Sequence, residues 1–327
     1  MFVRIKDLQV DDELKIKVCR MYYLSDIRKS EIAHSLGISR FKVSRLIDQA
    51  LQEGIVQIKI LEPISTSAAL EEQLEKRFNL YHAIVVQSSD QSEKNLVRAI
   101  GRAAAERLLD LLKDGDVLGI TWGATVNEVV KALPAKVNVK LDVVQITGGL
   151  NQMALDINPI DLVRRVAERY DAESHVLYAP AIVREQAARQ ALLLDVNLHK
   201  TIEMFDRVNV ALSGIGGLSS RTQSNLLKSG YILTEELNRL KELKAVGDVF
   251  AHIFDIKGNI CDANLDQMII GMSVDQLRKV HYSIGVAGGI QKSLAILGAL
   301  RGRLINILVT DQNTAQDILE KDHIFFA

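Results

Sequence analysis

The chain has 327 residues, 48% apolar and 25% charged, close to globular averages and far from those of disordered or fibrous chains. Forty basic residues oppose forty-one acidic ones, a formal charge of −1, so no global charge announces nucleic acid or an anionic membrane, and any basic site has to be local. Cys19 and Cys261 form no CxxC pair and the N-terminal seventeen residues are broken by charges, which argues against a disulfide framework, a zinc module, export or a membrane span and favours a cytoplasmic protein.

This length suits two domains, one larger than the other. Of the four prolines, Pro63 is the mark that best divides them, giving an N-terminal domain over 1–62 and a C-terminal domain over 63–327.

From Glu13 to Leu24 the apolar residues Leu14, Ile16, Val18, Met21 and Tyr22 fit a helix that is apolar over a broad face. A second, short helix spans 29–36, with Ile32, Ala33 and Leu36 inward and Gly37 at the left-handed position of a sharp turn. Ser39 is a suitable N-cap for a third helix over 40–52, whose inner face is Val43, Leu46, Ile47 and Ala50.

Helix, three-residue turn, helix is the helix-turn-helix pattern, in which the second helix enters the major groove. Between Arg28 and Arg45, five basic residues stand against one acidic, a local patch of +4. Lys29, Ser39, Arg40, Lys42, Ser44 and Arg45 are the candidate contacts to operator DNA. Arg28 occupies the cap position of the second helix, where a hydroxyl is usual, so that helix lacks a common start device. Next, 55–60 alternates apolar and polar residues from Val56 onward, as a short wing strand would.

Beyond Pro63, Leu70, Leu74 and Phe78 form a helical stripe at spacing four, suited to a connecting or dimerising helix. Strand-like runs at 83–86, 117–121, 141–146, 208–212, 249–254, 284–287 and 305–309 then alternate with helix-like stretches, including 96–112, 162–170, 186–194, 290–300 and 314–320. The expected fold is therefore α/β with a mainly parallel sheet.

Ligands in such domains sit outside the carboxyl ends of the strands, where small residues recur here. Gly123, Ala124 and Thr125, Gly148 and Gly149, Gly214 and Gly216, and Gly288 and Gly289 each follow a strand-like run. Glycine lets backbone amides approach an anion and a helix N-terminus adds partial positive charge, so phosphate is the natural guest. Lys292 adds a cation, while Asp248 and Asp255 are acceptors suited to sugar hydroxyls. Asp255, before Lys257, Gly258 and Asn259, equally suits the start of a hairpin turn.

Other motifs fail. Gly214-Ile215-Gly216 with Glu235 mimics a dinucleotide fingerprint, but Ser219 stands at the third glycine position. GxxxxGK[ST], HExxH and GxSxG are absent, and the seven histidines lack ligand spacing, so the reading includes no catalytic residue, metal or cofactor.

The segments EIAHSLGISRFKVSRLI, GITWGATV, VVQITGGL, VALSGIGG, AVGDVFAHIFDIKGN and IGVAGGIQKSLAILGALRGRLINILVTDQNTA resemble, in order and spacing, the SorC-type family of sugar-binding transcriptional regulators. That resemblance implies a winged helix-turn-helix joined to a domain like those of ribose-phosphate isomerase and glucosamine-phosphate deaminase. It further implies a phosphorylated sugar or polyol as effector, two-fold operator DNA as partner, and assembly into homodimers or homotetramers.

Within that pattern Gly123 to Thr125, Gly148, Gly149, Gly214, Gly216, Gly288, Gly289 and Lys292 match pocket-lining segments, and Asp255 matches a position associated with sugar hydroxyls. Thr147 stands where a deoxyribose-phosphate responder of this kind carries a Schiff-base lysine, which speaks against covalent capture here. The alternative is a sugar-phosphate isomerase or deaminase with a DNA-binding head, for which Asp248 or Asp255 would have to serve as base.

Overall fold

The computed structural model describes residues 5–56, 65–87, 92–150, 158–219 and 222–324. Contacts divide the chain into two compact units, Met1–Pro63 and Ile64–Ala327.

The first unit is helical. Helix α1 (Ile5–Cys19) runs into a π-helical turn at Arg20–Leu24, so the expected first helix is longer at its start and changes pitch at its end. Helices α2 (Lys29–Leu36) and α3 (Arg40–Gln52) follow. The turn between them works through two local devices. Gly37 adopts φ +63°, and the Ser39 hydroxyl accepts the Lys42 N–H at 3.1 Å. Arg28 makes no side-chain cap on α2, in keeping with its side chain.

Val18 of α1, Ile32 of α2 and Val43 of α3 are fully buried together with Ala50, and Leu46 and Ile47 nearly so. Lys15 pairs with Asp12 at 2.8 Å and with Glu53 at 2.5 Å, tying α1 to the residue after α3. Ile55 and Val56 form a bend whose Val56 N–H reaches Ala50 O at 3.0 Å. The remainder of the expected wing strand lies outside the described residues.

The second unit is built on strands β1 (Ser65–Thr66), β2 (His82–Gln87), β3 (Val117–Ile120), β4 (Asp142–Gln145), β5 (Glu173–His175), β6 (Val210–Ser219), β7 (Thr222–Gln223), β8 (Ala245–Val249), β9 (His252–Asp255), β10 (Tyr282–Val286) and β11 (Ile307–Asp311). Seven are parallel in the order β2-β11-β10-β6-β3-β4-β5, and β1 pairs antiparallel with β2. Alternation of side chains sends Leu118, Leu212, Ile284 and Val309 to one buried layer and Val117, Ala211 and Leu308 to the other. Helices cover both faces, so the strands read as nearly continuous apolar runs.

Two features leave this plan. Strand β6 is ten residues long: its first half lies in the parallel sheet beside β3 and β10, while Ile215–Gly217 pair antiparallel with β8. The expected single strand over 249–254 is instead a hairpin. Phe250 and Ala251, with φ +53° and +71°, turn the chain between β8 and β9, and both are buried. Positive φ costs such residues energy, and burial of the Phe250 ring in the core supplies a compensating gain.

The turn after β9 packs backbone to backbone on the helix Ser293–Arg301. Gly258 has φ +81°, and an added Cβ would collide with the Gly302 backbone. Gly258→Ala should lower stability by about 1–3 kcal/mol, as steric overpacking does. Urea unfolding reads this as a lower midpoint, and an unchanged midpoint would contradict the close contact.

Candidate functional site

The topology sets where a pocket can form. From β3 the chain moves through β4 to β5 at one edge, then returns to β6 on the other side of β3 and continues to β10 and β11. Neighbouring strand ends therefore diverge between β3 and β6, the switch point at which open α/β sheets bind ligands.

At that point Gly123 precedes the helix Ala124–Ala132, and a Cβ on Gly123 would lie 3.8 Å from the Gly214 Cα. Ala124 and Thr125 open this helix, whose first amides have no acceptor within the helix. The buried Thr121 hydroxyl donates to Ser213 Oγ at 3.1 Å, and Ser213 donates to Gly214 O at 2.8 Å, fixing the two strand ends together.

Two residues further along β6, Gly216 pairs with Asp248 of β8. Any Cβ at Gly216 would collide with the Asp248 carboxylate and the Ser224 side chain. Asp248 is buried and its Oδ1 has no hydrogen-bond partner among the described residues. Burial pushes its carboxyl up to about 6, against the opposing pulls of the Ser224 hydroxyl, Lys292 and His252.

Lys292 closes this group. It ends the short 3-10 turn Ile290–Lys292 that follows Gly288 and Gly289. Burial pushes its ammonium below the usual lysine range, with Glu93 and Asp248 acting the other way and Lys228 reinforcing the shift. Gly288, Gly289 and Lys292 line a cavity of about 400 Å³ together with Glu93, Asp311, Asp317 and Glu320. Asp311 is already committed, accepting from Gly289 N at 2.8 Å and Thr314 N at 3.0 Å, so it shapes the glycine loop.

Several sequence assignments change at this point. Gly148 and Gly149 offer no free amides: their N–H groups donate to Ile270 O at 2.8 Å and Ala179 O at 2.7 Å. A Cβ on Gly148 would meet Pro180 C at 2.7 Å, so this pair permits close backbone approach instead of cradling an anion. Asp255 is a turn residue. Its carboxylate accepts from Lys257 N at 2.8 Å and Asn259 N at 2.9 Å, and its carbonyl abuts Gly298, toward the far end of the helix that begins after Lys292.

Sequence reasoning missed Ser224 and Lys228 beside Asp248 and Lys292, and the orphaned Oγ1 of fully buried Thr147 at the end of β4. Nothing in the local spacing could have found the first two.

On α3, Arg40 and Arg45 are exposed and Lys42 and Ser44 partly exposed; Arg40 and Lys42 border the buried face, and Ser44 and Arg45 lie on the side away from it. Ser39 spends its acceptor on the cap, and the Lys29 ammonium sits 5.3 Å from the Tyr22 ring centre. Elsewhere, Asp142, Glu173 and His175 bring ligand-type atoms within 4.8 Å of one another at the starts of β4 and β5, where Arg207, 3.7 Å from Asp142, supplies a counter-charge. Among the described residues, no helix is long and apolar enough to cross a membrane.

A basic helical unit followed by an α/β unit with a polar pocket at its strand ends is the make-up of a ligand-responsive transcriptional regulator. Comparison with known proteins agrees. A family model described as "Putative sugar-binding domain" matches residues 62–320. The chain is 33% identical over 307 residues to the deoxyribonucleoside regulator of Bacillus subtilis (strain 168), covering 94% of this chain and 97% of that one. It is 32% identical over 312 residues to the sorbitol operon regulator of Klebsiella pneumoniae, covering 95% and 98%. The crystal structure of the full-length sorbitol operon regulator SorC from Klebsiella pneumoniae superposes with a TM-score of 0.73 at 32% identity, covering 94% of this chain and 99% of that one. The chain belongs to the SorC-type family of sugar-binding transcriptional regulators. These relatives are regulators and not enzymes, which removes the support for the isomerase or deaminase alternative.

The Asp248 carboxyl gives the fold a pH dependence. An unfolded aspartate titrates at its ordinary value of 3.8 and the folded one at about 6, so between these values the native state holds a proton that the unfolded state has lost. The residue's contribution to stability falls as pH rises through that window, by about 3 kcal/mol at most, and is level above it. Asp248→Asn should therefore gain stability relative to the parent chain on going from pH 4.5 to 7.5. Denaturant melts at both values test this, and a difference independent of pH would contradict it.

Proposed function

We propose that this protein is a DNA-binding regulator whose affinity for a two-fold operator is set by a phosphorylated sugar or polyol held in the C-terminal unit. The observation that carries the effector reading is the Asp248 carboxylate, buried with an orphaned oxygen, in the same charged group as Lys292 at a glycine-built strand mouth. A buried acceptor without a donor is costly unless a ligand completes it, and a sugar hydroxyl is such a donor. Lys292 and neighbouring Lys228 supply positive charge for the phosphate, with the first amides of the helix Ala124–Ala132 as further donors. The relatives' names mention a deoxyribonucleoside and sorbitol, which fits a sugar-derived or polyol-derived guest.

The DNA reading is that α2, the Gly37–Ser39 turn and α3 act as a helix-turn-helix. Arg40, Lys42 and Arg45 reach phosphates or base edges, Lys29 and Ser39 steady the approach, and Ser44 lies within reach of the groove. Pairing of two such heads in a homodimer or higher assembly would match a two-fold operator. Regulation then requires that the effector bind the DNA-competent and DNA-incompetent forms with different affinity.

Two substitution experiments separate the halves. Arg40→Ala with Lys42→Ala should lower affinity for the protein's own upstream DNA at least tenfold in fluorescence anisotropy while leaving effector affinity intact; unchanged DNA binding would move the reading head elsewhere. Lys292→Ala should weaken a phosphorylated ligand at least tenfold in calorimetry and its unphosphorylated analogue much less. Equal losses for both would take Lys292 out of the phosphate site.

A further inference from the structure

Helix α3 carries an exposed aromatic ring that neither its fold nor its charge accounts for. Phe41, the second residue of the helix, is 90% exposed. Successive helical residues are about 100° apart, and on that wheel the buried residues Val43, Leu46, Ile47 and Ala50 cluster around one direction. Phe41 points the opposite way. Arg40 and Lys42 flank it on either side, and Ser44 and Arg45, three and four residues on, share its face.

Phenylalanine is a weaker helix former than the lysine or arginine beside it, and at this exposure it contributes almost nothing to the core. The flanking cations suit a polyanion, while the ring between them suits an apolar feature inside that polyanion. In a DNA major groove the apolar feature is the C5-methyl group of thymine, with which phenylalanine makes contact. Asp48, seven residues on along the same face, would repel phosphate and so confines the contact to the first half of the helix.

We infer that Phe41 reads a thymine methyl group in each operator half-site, between phosphate or base contacts made by Arg40, Lys42 and Arg45. This inference rests on the reading of α3 as the DNA-facing helix. It assigns Phe41 a share of sequence specificity that contacts to phosphate do not provide.

The test isolates one methyl group. Duplexes enriched by the full-length protein from a random double-stranded pool are remade with each thymine replaced in turn by deoxyuridine, which deletes only the methyl. The parent protein should lose about fourfold in affinity at one thymine per half-site, the worth of one buried methyl group. Phe41→Ala should bind the thymine and deoxyuridine duplexes equally at that position, and Phe41→Leu should keep part of the difference. Since the side chain is exposed, both variants should melt as the parent does.

A parent protein indifferent to every replacement, or a Phe41→Ala variant that keeps the parent's preference, overturns the assignment of Phe41 and leaves the DNA-binding reading standing. A protein that enriches no sequence at all overturns both.

Discussion

One strand belongs to two sheets, and the geometry of the pocket follows from that. The first half of β6 is held in the parallel sheet by β3 and β10, and its second half departs to pair with the β8–β9 hairpin. Gly216 is needed for this pairing, because a side chain there would strike the Asp248 carboxylate and the Ser224 side chain. The hairpin in turn delivers Asp248 to the mouth of the sheet. Without the crossing, Asp248 and Lys292 would belong to separate surfaces.

The charges at that mouth are held under strain. Asp248 and Lys292 would each favour the other's ionised form, yet burial pushes the acid up and the base down. Desolvation outweighs the pair's attraction, so neither group is fully paid for in the free protein. A guest combining a hydroxyl donor with an anionic group would relieve both. This is the physical content of the proposed preference for a phosphorylated sugar or polyol, and it makes the folded state itself the beneficiary of binding.

What was legible in the sequence was local. The turn between α2 and α3 followed from Gly37 and Ser39, and the parallel strands from runs of β-branched residues that must be buried on both faces. The hairpin at Phe250 and Ala251 was not legible, because neither residue carries a turn preference and burial holds them at positive φ. The glycines at 148 and 149 looked like an anion cradle, but their amides are taken by residues 30 and more than 100 positions away. Asp255 shows the reverse case: its turn role was readable from Lys257, Gly258 and Asn259, and the structure supports that reading. Ser224 and Lys228 could be found only by their three-dimensional neighbours.

The central claim is that one ligand class in the C-terminal unit controls DNA binding by the N-terminal one. The most direct measurement is fluorescence anisotropy of the full-length protein on its own upstream DNA, titrated with sugar and polyol phosphates beside their unphosphorylated counterparts. The account predicts that at least one phosphorylated compound changes DNA affinity severalfold and that its unphosphorylated counterpart does not. Equal effects of both members of every pair, or no effect of any, would contradict it.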